Sequence, residues 1–174
     1  TAFKAAGDDA APAVITATSS AYPYNLNIPS GCTIGGTAAR FVDMDGSGIL
    51  VTSGATVDPT VKFSDCGFER TTGSGPMLKV ENSQLLDTLY NVSFSGAAGY
   101  NIEKSANTGH VTVAGGGGDR WGASFEFDPN SLIDWITGDV GVSRVIMPRG
   151  EVDESLPVSP EVMVYNYGSA GLGF

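Results

Sequence analysis

Short runs of alternating apolar and polar residues dominate the middle of the chain, from residue 61 to residue 127. Within each run the apolar side chains recur at every second position, and Gly, Asn, Ser or Asp closes the run. In a β-strand that period puts the apolar side chains on one face and the polar ones on the other. The pattern therefore predicts a series of short strands, at residues 61–63, 78–81, 90–94, 100–103, 111–113 and 125–127.

The same alternation predicts which side chains fill the core. The buried set is expected to be Val80, Val92, Phe94, Ile102, Val113, Phe125 and Phe127. The solvent-facing set is expected to be Glu81, Ser93, Glu103, Thr112 and Glu126. Tyr90 and Tyr100 share their apolar faces with Val92 and Ile102, so we expect both tyrosine rings to pack in the core.

The remaining segments are interpreted as parts of one β domain of 174 residues. Residues 1–20 are weakly patterned and form either an edge strand or an extended arm, whereas residues 41–135 carry the core strand series. Asp128, Asn130 and Ser131 are typical caps, so a short helical turn is predicted over residues 132–136. Residues 136–174 are expected to hold C-terminal strands, at 140–147 and 161–167, and a glycine-rich tail.

The spacing of the strands indicates how they are arranged. Equivalent apolar pairs recur roughly 20 to 30 residues apart, which is typical of coils stacked on one another. The strand ends at residues 63–67 and 94–97 are also alike. Over residues 49–135 this rhythm resembles that of extracellular right-handed parallel β-helix proteins, and the resemblance implies a short right-handed parallel β-helix, or solenoid. Turn signals about every 8–12 residues also fit an antiparallel β-sandwich or jelly roll, which is the alternative.

Composition adds a thinly charged, turn-rich surface to this picture. Hydrophobic residues make up 41% of the chain and charged residues 16%, and there are 24 glycines. The net charge of −10 disfavours contact with the phosphates of nucleic acids. No apolar run approaches the roughly 20 residues that span a bilayer, so neither nucleic-acid binding nor membrane insertion is expected.

Cys32 and Cys66 are the two cysteines. They lack the Cys-x-x-Cys spacing and the neighbouring histidines of zinc or thioredoxin-type sites. The first interpretation is a disulfide in an exported protein, and the second is two small buried thiols. We expect the disulfide, because a composition rich in Ser, Thr and Gly also indicates an extracellular protein.

Two motifs invite a metal or a catalytic interpretation and are incomplete. Residues 43–48 match the first half of a calcium-binding EF-hand loop, but Gly54 stands where the loop needs its Glu. A turn in which Asp side chains bind their own backbone is therefore expected, and no metal or cofactor is predicted. His110 is the only histidine; without a Gly-x-Ser-x-Gly motif it is expected to be a surface side chain.

Acidic residues leave one enzymatic hypothesis open. Asp65, Glu81, Glu103, Glu126 and Asp128 fall at outward positions, where two carboxylates on one open face could hydrolyse or cleave a glycan, with Lys79, Lys104 and Arg120 nearby. Solvated charges on an exposed sheet explain the same residues without a function. A polysaccharide lyase or glycoside hydrolase is therefore the alternative function.

The leading hypothesis is a non-enzymatic structural or adhesive module at the outside of a cell or on a particle surface. Trp121 follows a four-glycine run and is expected to be exposed, so Trp121, Asp119 and Arg120 are the candidate ligand-binding residues, with a polysaccharide as the possible ligand. The strand at 161–167 has two largely apolar faces, which suits docking on a second copy. The residues expected to mediate such homo-oligomerisation are Val162, Met163, Val164, Tyr165 and Tyr167.

Overall fold

A computed structural model describes residues 1–136 except positions 9, 71 and 98, together with the backbone of the segments 140–147 and 161–166. The described chain is all-β, with one short 3₁₀ helix at Ala123–Phe125. In chain order the strands are β1 (Ala2–Ala6), β2 (Ala13–Ile15), β3 (Tyr24–Ile28), β4 (Thr33–Thr37), β5 (Ala39–Val51), β6 (Thr56–Val57), β7 (Gly67–Arg70), β8 (Leu78–Val80), β9 (Leu86–Gly96), β10 (Ile102–Lys104), β11 (Val111–Gly117), β12 (Ile133–Ile136), β13 (Val140–Met147) and β14 (Glu161–Asn166).

Strands β1 to β12 pair in parallel and stack into a β-solenoid of about five turns. This arrangement confirms the predicted parallel β-helix and rules out the antiparallel alternative. Face A carries β1, β4, β6, the first half of β9, the first half of β11, and β12; face B carries β2, the first half of β5, β7 and the second half of β9. Face C carries β3, the second half of β5, β8 and β10.

The ends of the chain bear on two further expectations. Residues 1–20 are not a detached arm, because β1 and β2 pair with β4 and β5 of the second coil. The predicted C-terminal strands are also present, and β13 and β14 pair with each other in antiparallel fashion. The side chains of residues 140–174, and Tyr167 altogether, lie outside the described residues.

The corner between faces A and B is formed by one residue per coil in the left-handed backbone region. Ala38, Asp65, Asn91 and Gly115 occupy it with φ angles of 45°, 55°, 52° and 68°. Asn, Asp and Gly tolerate this conformation better than other residues. The Asn91 amide also donates a hydrogen bond of 2.8 Å to Asp65 Oδ1, which links the corners of two successive coils.

This corner explains why one burial prediction is wrong. Leu89 and Val92 are buried, whereas Tyr90 between them is exposed. Strict alternation pairs Tyr90 with Val92, but the left-handed Asn91 turns the chain from face A to face B between them. A residue just before a corner therefore does not follow the inward–outward alternation of the strand that comes after the corner.

A column of aromatic rings runs through the core along the axis of the solenoid. Phe41, Phe68 and Phe94 occupy equivalent inward positions on face B of three coils. Their rings are stacked at centroid distances of 5.4 Å and 5.1 Å, and both ring pairs are tilted by only 13°. Phe63 packs edge-on against the first two rings, and Trp135 packs edge-on against Phe94.

Most of the predicted strand faces are confirmed. Val80, Val92, Phe94, Ile102 and Val113 are fully buried, as expected. The five residues expected to face solvent lie outside the core and are partly exposed.

The fifth coil departs from the prediction. Phe125 is only partly buried and Phe127 is 42% exposed. Phe125 belongs to the 3₁₀ turn rather than to a strand, and Phe127 makes a single bridge to the outward residue Glu103. Neither side chain therefore follows the alternation that the sequence suggests.

The predicted helical turn over residues 132–136 is wrong, because β12 is a strand. Asp128 does cap the backbone, since its Oδ2 accepts hydrogen bonds from the amides of Leu132 and Ile133 at 2.5 Å and 2.7 Å. The segment then pairs with the exposed edge of β11. The tertiary ladder outweighs the local signal for a helix start.

The predicted disulfide between Cys32 and Cys66 is also wrong, and both thiols are free. Cys32 precedes β4, whereas Cys66 follows Ser64, the partner of Thr37 at the other end of β4. At about 3.3 Å per residue the two cysteines are on the order of 15 Å apart, far beyond the roughly 7 Å that a disulfide spans. Burial raises the pKa of the Cys66 thiol to about 12, so this thiol is unreactive at neutral pH.

Face A is interrupted between the third and fourth coils by a seam of side-chain hydrogen bonds. β6 pairs with β4 but with no later strand among the described residues. The Gln84 side chain takes the place of a backbone partner: its Oε1 accepts from the Val57 amide at 2.8 Å, and its Nε2 donates to the Val57 carbonyl at 2.7 Å. The buried Asn82 amide donates to the Ala55 carbonyl at 2.9 Å.

A lysine ends one of the apolar ladders of the core. Ile28, Val51, Val80 and Lys104 are in register on face C, and all four point inward. Lys104 is fully buried, and its ammonium donates a hydrogen bond to the Asn82 carbonyl. Burial lowers the pKa of Lys104 to about 8, while Asp128 acts in the opposite direction.

We predict that truncating the centre of the aromatic column destabilises the fold strongly. Phe68→Ala should lower the free energy of unfolding by about 3–5 kcal/mol, because the column cannot collapse around the cavity. Thr112→Ala should cost well under about 1 kcal/mol, and Phe127→Ala should cost much less than Phe68→Ala because its ring is half exposed. Urea unfolding of the three variants checks this order, and an equal loss for Phe68 and Phe127 would contradict the described packing.

We predict a second effect, in which stability rises with pH through the titration of Lys104. The folded pKa of about 8 lies below the usual 10.5, so between these values the unfolded chain binds more protons than the folded one. Unfolding free energy should therefore increase from about pH 8 to about pH 10.5, by up to about 3 kcal/mol. The difference between wild type and Lys104→Met isolates this contribution, with Lys62→Met as the surface control. If the unfolding free energy depends on pH in the same way in wild type and in Lys104→Met, the lowered pKa of the buried Lys104 is refuted.

Candidate ligand-binding face

Face C carries a mixed strip of outward side chains that crosses four coils. Leu50, Lys79, Glu103 and Phe127 stand opposite one another in successive coils. Tyr100 lies in the adjacent column, where its carbonyl accepts a hydrogen bond from the amide that follows Pro76. We call this set the aromatic–charged strip; it consists of Leu50, Pro76, Lys79, Tyr100, Glu103 and Phe127.

Two aromatic rings form the exposed apolar part of the strip. Tyr100 is 39% exposed and Phe127 is 42% exposed, and their ring centroids are 5.3 Å apart. Core packing was the prediction for both residues, and both predictions are wrong. Tyr100 faces outward because its neighbour Asn101 turns into the core, where its amide donates to the carbonyls of Arg120 and Gly122, both at 2.9 Å.

The charged part of the strip is a lysine held between two carboxylates. Lys79 Nζ lies 2.9 Å from Glu103 Oε1 and 3.2 Å from Glu81 Oε1. The hydrogen bond to Glu103 is the largest cause of a raised pKa of Lys79, and the bond to Glu81 adds to it. Beside this cluster is a depression of about 270 Å³, lined by Gly46, Ser47, Leu50, Pro76, Lys79 and Glu103.

This arrangement combines apolar rings with fixed polar groups on an open surface. Exposed aromatic rings offer flat apolar surface, and the neighbouring carboxylates and ammonium offer hydrogen-bond acceptors and donors. Such a mixture suits a ligand that has both apolar faces and hydroxyl groups. Both carboxylates of the cluster are engaged by the same ammonium, since Lys79 Nζ bonds Glu81 and Glu103.

The proposed carboxylate cluster is only partly brought together. Glu81 and Glu103 meet at Lys79, but Asp65 lies at the corner between faces A and B, bonded to Asn91. Glu126 accepts a hydrogen bond from the Trp135 indole, and burial raises the pKa of its carboxyl group. Asp128 caps the start of β12, and the predicted outward neighbour Lys104 points into the core.

The three ligand-binding candidates from the sequence lie at the corner next to the strip. Asp119 Oδ1 accepts a 3.0 Å hydrogen bond from the Gly96 amide, and the Arg120 guanidinium lies over the Phe125 ring at 5.1 Å. Trp121 is not fully exposed: its indole donates to the Gly115 carbonyl at 3.0 Å, and its ring packs against Trp135. Asp119 thus ties the fifth coil to the fourth, whereas the Arg120–Phe125 contact and the side-chain contacts of Trp121 lie within the fifth coil or reach β12. A ligand-binding role for the three residues stays a prediction.

His110 is exposed, as expected, and its Nδ1 lies 3.0 Å from Asp134 Oδ2. The partner belongs to the next coil, so the contact joins β12 to the residue that precedes β11. Both side chains are more than half exposed, which limits the contribution of the pair to stability.

The Asp43 motif forms a bend inside β5. Asp45 Oδ1 accepts a 2.7 Å hydrogen bond from the Ser47 amide, as the expected Asp-stabilised turn requires. Asp43 Oδ2 accepts from the Thr16 hydroxyl, and Asp45 Oδ2 accepts from the Asn25 amide, both at 2.8 Å. The two carboxylates thus hold the first coil to the second. Within the described ranges, His, Cys, Asp and Glu side chains form no group of three that could hold a metal ion.

Comparisons of the chain with models of protein families, with curated proteins and with solved structures found no match. In the part of the chain that the structure describes, no helix has the length and apolar character needed to cross a membrane.

We predict that calcium does not contribute to the stability of the fold. Asp43 Oδ2 and both carboxylate oxygens of Asp45 already accept hydrogen bonds from protein donors. A chelator such as EDTA should therefore change the melting temperature by less than about 1 °C, a shift worth at most about 0.5 kcal/mol for a domain of this size. Differential scanning calorimetry with chelator, and with excess calcium added back, measures the effect. A large drop on chelation that calcium reverses would show that other ligands complete a site.

Proposed function

We propose that the chain is a non-enzymatic binding module, a β-solenoid that holds a polysaccharide on its aromatic–charged strip. The observation that carries this proposal is the exposed Tyr100–Phe127 pair beside the Lys79–Glu103 ion pair. A pyranose ring presents apolar C–H groups on its faces and hydroxyl groups at its edge. The aromatic rings of the strip offer a surface for the C–H faces of the sugar, and its fixed charges offer partners for the hydroxyl groups. Both stand on strands that the solenoid holds rigid.

Charge narrows the class of polysaccharide. The strip and its neighbour Glu81 contain two carboxylates and one ammonium, and the chain as a whole carries −10. Uronic-acid and sulfated polymers would be repelled by this surface. A neutral glycan or an amino-sugar polymer is therefore the ligand that we propose.

We propose a location at the outside of a cell or on a particle surface, which is where such polymers occur. The low share of charged residues and the abundance of glycine support it. The free cysteines remove the disulfide as an argument, so this part of the proposal depends on composition and on the proposed ligand. Self-association through Val162, Met163, Val164, Tyr165 and Tyr167 also stays a proposal; β14 already uses one edge to pair with β13.

A carbohydrate-active enzyme is the second candidate, and the meeting of Glu81 and Glu103 at Lys79 is the observation that favours it. The ammonium between the carboxylates supports binding over bond cleavage. Incubation with a bound polysaccharide, followed by assay of reducing ends and of unsaturated products, separates the two. We expect no product, whereas product that disappears in Glu103→Gln would favour the enzyme.

We predict that the aromatic pair supplies most of the affinity for the polysaccharide. Tyr100→Ala and Phe127→Ala should each weaken binding roughly tenfold, as buried aromatic anchors do at other interfaces. Affinity electrophoresis in gels that contain a neutral glucan, an amino-sugar polymer or a polyuronate measures the binding. Tyr22→Ala is the matched control, because Tyr22 is 78% exposed and lies on the first coil, away from the strip. Unchanged binding in the double variant Tyr100→Ala/Phe127→Ala, with the fold intact by circular dichroism, would refute the proposal.

A further inference from the structure

Lys104 is a buried amine that lies next to a buried carboxamide. Its side chain is fully buried at the end of the ladder on face C, and its ammonium donates a hydrogen bond to the backbone carbonyl of Asn82. Asn82 is itself only 3% exposed. The Cγ atom of Asn82 is joined to that carbonyl through Cα and Cβ alone. The hydrogen bond therefore holds the Lys104 nitrogen beside the side-chain amide of Asn82.

A carboxylate stands beside the same lysine in the next coil. The Lys104 amide donates to the Phe127 carbonyl at 3.0 Å, and Phe127 is bridged to Glu103, so Asp128 follows as the neighbour of Lys104. Asp128 Oδ2 accepts hydrogen bonds from the amides of Leu132 and Ile133. Its Oδ1 is buried, and the carboxylate acts electrostatically on the Lys104 ammonium.

Two buried oxygens around the lysine lack a donor. Among the described residues, neither Asn82 Oδ1 nor Asp128 Oδ1 has a hydrogen-bond partner. Buried acceptors of this kind are rare in folded proteins and need an explanation. One proton accounts for both: when Lys104 passes it to Asp128, the resulting carboxyl group becomes a donor for Asn82 Oδ1. The transfer leaves a neutral amine, and burial favours that form of Lys104 because it lowers the pKa.

We propose that Lys104 and Asn82 form an intramolecular isopeptide bond in the folded chain. Lys104 Nζ attacks Asn82 Cγ, the Nζ–Cγ bond forms, and the Cγ–Nδ2 bond breaks. Asp128 takes protons from Nζ and passes them to the departing Nδ2, which leaves as an ammonium ion. The ammonium of Lys104 and the carboxamide of Asn82 thus become one secondary amide and one ammonium ion, and Asp128 returns to a carboxylate. The step needs no oxidant, metal or further reactant.

The fold supplies what this exchange of amides requires. It holds the amine and the carboxamide side by side, which replaces an encounter in solution. Burial also keeps water from competing with the amine. The exchange gives up the 2.9 Å hydrogen bond from Asn82 Nδ2 to the Ala55 carbonyl. The departure of ammonium into dilute solution favours the linked form.

The bond would tie the end of β10 to the corner that follows β8, in a chain whose two cysteines are both free. This inference is independent of the polysaccharide site. A linked Lys104 no longer titrates, so the pH dependence predicted above applies to the chain that has not reacted, and the mass of the chain separates the two cases.

Mass spectrometry of the full, folded chain tests the proposal. The linked chain is lighter than its sequence predicts by the mass of one ammonia. Chymotrypsin cuts after Tyr90, Phe94 and Tyr100, which lie between the two residues. The fragments that carry Asn82 and Lys104 therefore stay together only when the new bond joins them, and trypsin no longer cuts after Lys104. We expect nearly complete linkage in the wild type.

Variants assign the atoms. Asn82→Ala and Lys104→Met should abolish the linkage, whereas Lys62→Met should leave it unchanged, because Lys62 pairs with Asp87 outside the core. Asp128→Asn keeps an oxygen for the two amides of β12 but removes the proton carrier. It should slow linkage by roughly a hundredfold, measured as the linked fraction at intervals after expression. Circular dichroism and a cooperative melting transition verify the fold of each variant.

A wild-type chain of full sequence mass overturns the proposal. Loss of ammonia without joined fragments overturns it as well, because it identifies a succinimide at Asn82 and Ser83 in place of a cross-link. Linkage that survives Lys104→Met, or that disappears in Lys62→Met, assigns a different lysine and has the same consequence. Linkage at an unchanged rate in folded Asp128→Asn refutes the role of the carboxylate.

Discussion

The parallel hydrogen-bond ladder is the constraint on which the rest of the structure depends. It places equivalent residues of successive coils about 4.8 Å apart. The stacked rings of Phe41, Phe68 and Phe94, at 5.4 Å and 5.1 Å, follow directly from that spacing. Because each coil must return to the same place on the next, its corners have to turn by the same amount. The left-handed residues Asp65 and Asn91 meet this requirement at one corner.

The alternation of apolar and polar residues was enough to predict the strands and, from their spacing, the parallel stack. It could not predict the corners, where a single left-handed residue changes the face of its neighbours. The prediction for Tyr90, beside the left-handed Asn91, is wrong for that reason. The prediction for Tyr100 is wrong because its neighbour Asn101 turns into the core. Lys104 shows the opposite case: Ile102, Glu103 and Lys104 alternate regularly, so the period places Lys104 inside, although its charge suggests the surface. The distance between Cys32 and Cys66 depends on which residues of successive coils lie opposite each other, and the sequence pattern does not predict this register.

The candidate site was less predictable than the fold. Its residues come from four coils, and Leu50 and Phe127 are far apart along the chain. No local sequence motif therefore predicts the site. A usable signal existed at Tyr100, because it follows Gly99 and precedes Asn101 in a chain whose corners are rich in Asn, Asp and Gly. Instead, the glycine run before Trp121 pointed to residues whose contacts hold the fifth coil together and join it to its neighbours. The pairing of Lys79 with Glu103 required knowledge of the register between β8 and β10.

The seam on face A has a consequence for the motions of the solenoid. At residues 55–57 the third and fourth coils are joined by the side chains of Asn82 and Gln84, whereas faces B and C keep continuous backbone pairing there. A side-chain amide can rotate away without unwinding a strand, so face A opens at lower cost than the other two faces. Local opening of the described solenoid is therefore expected to start along face A, while the backbone ladders of faces B and C stay paired. The amide hydrogen of Val57, whose acceptor is the Gln84 side chain, should then be the first in this region to exchange with solvent.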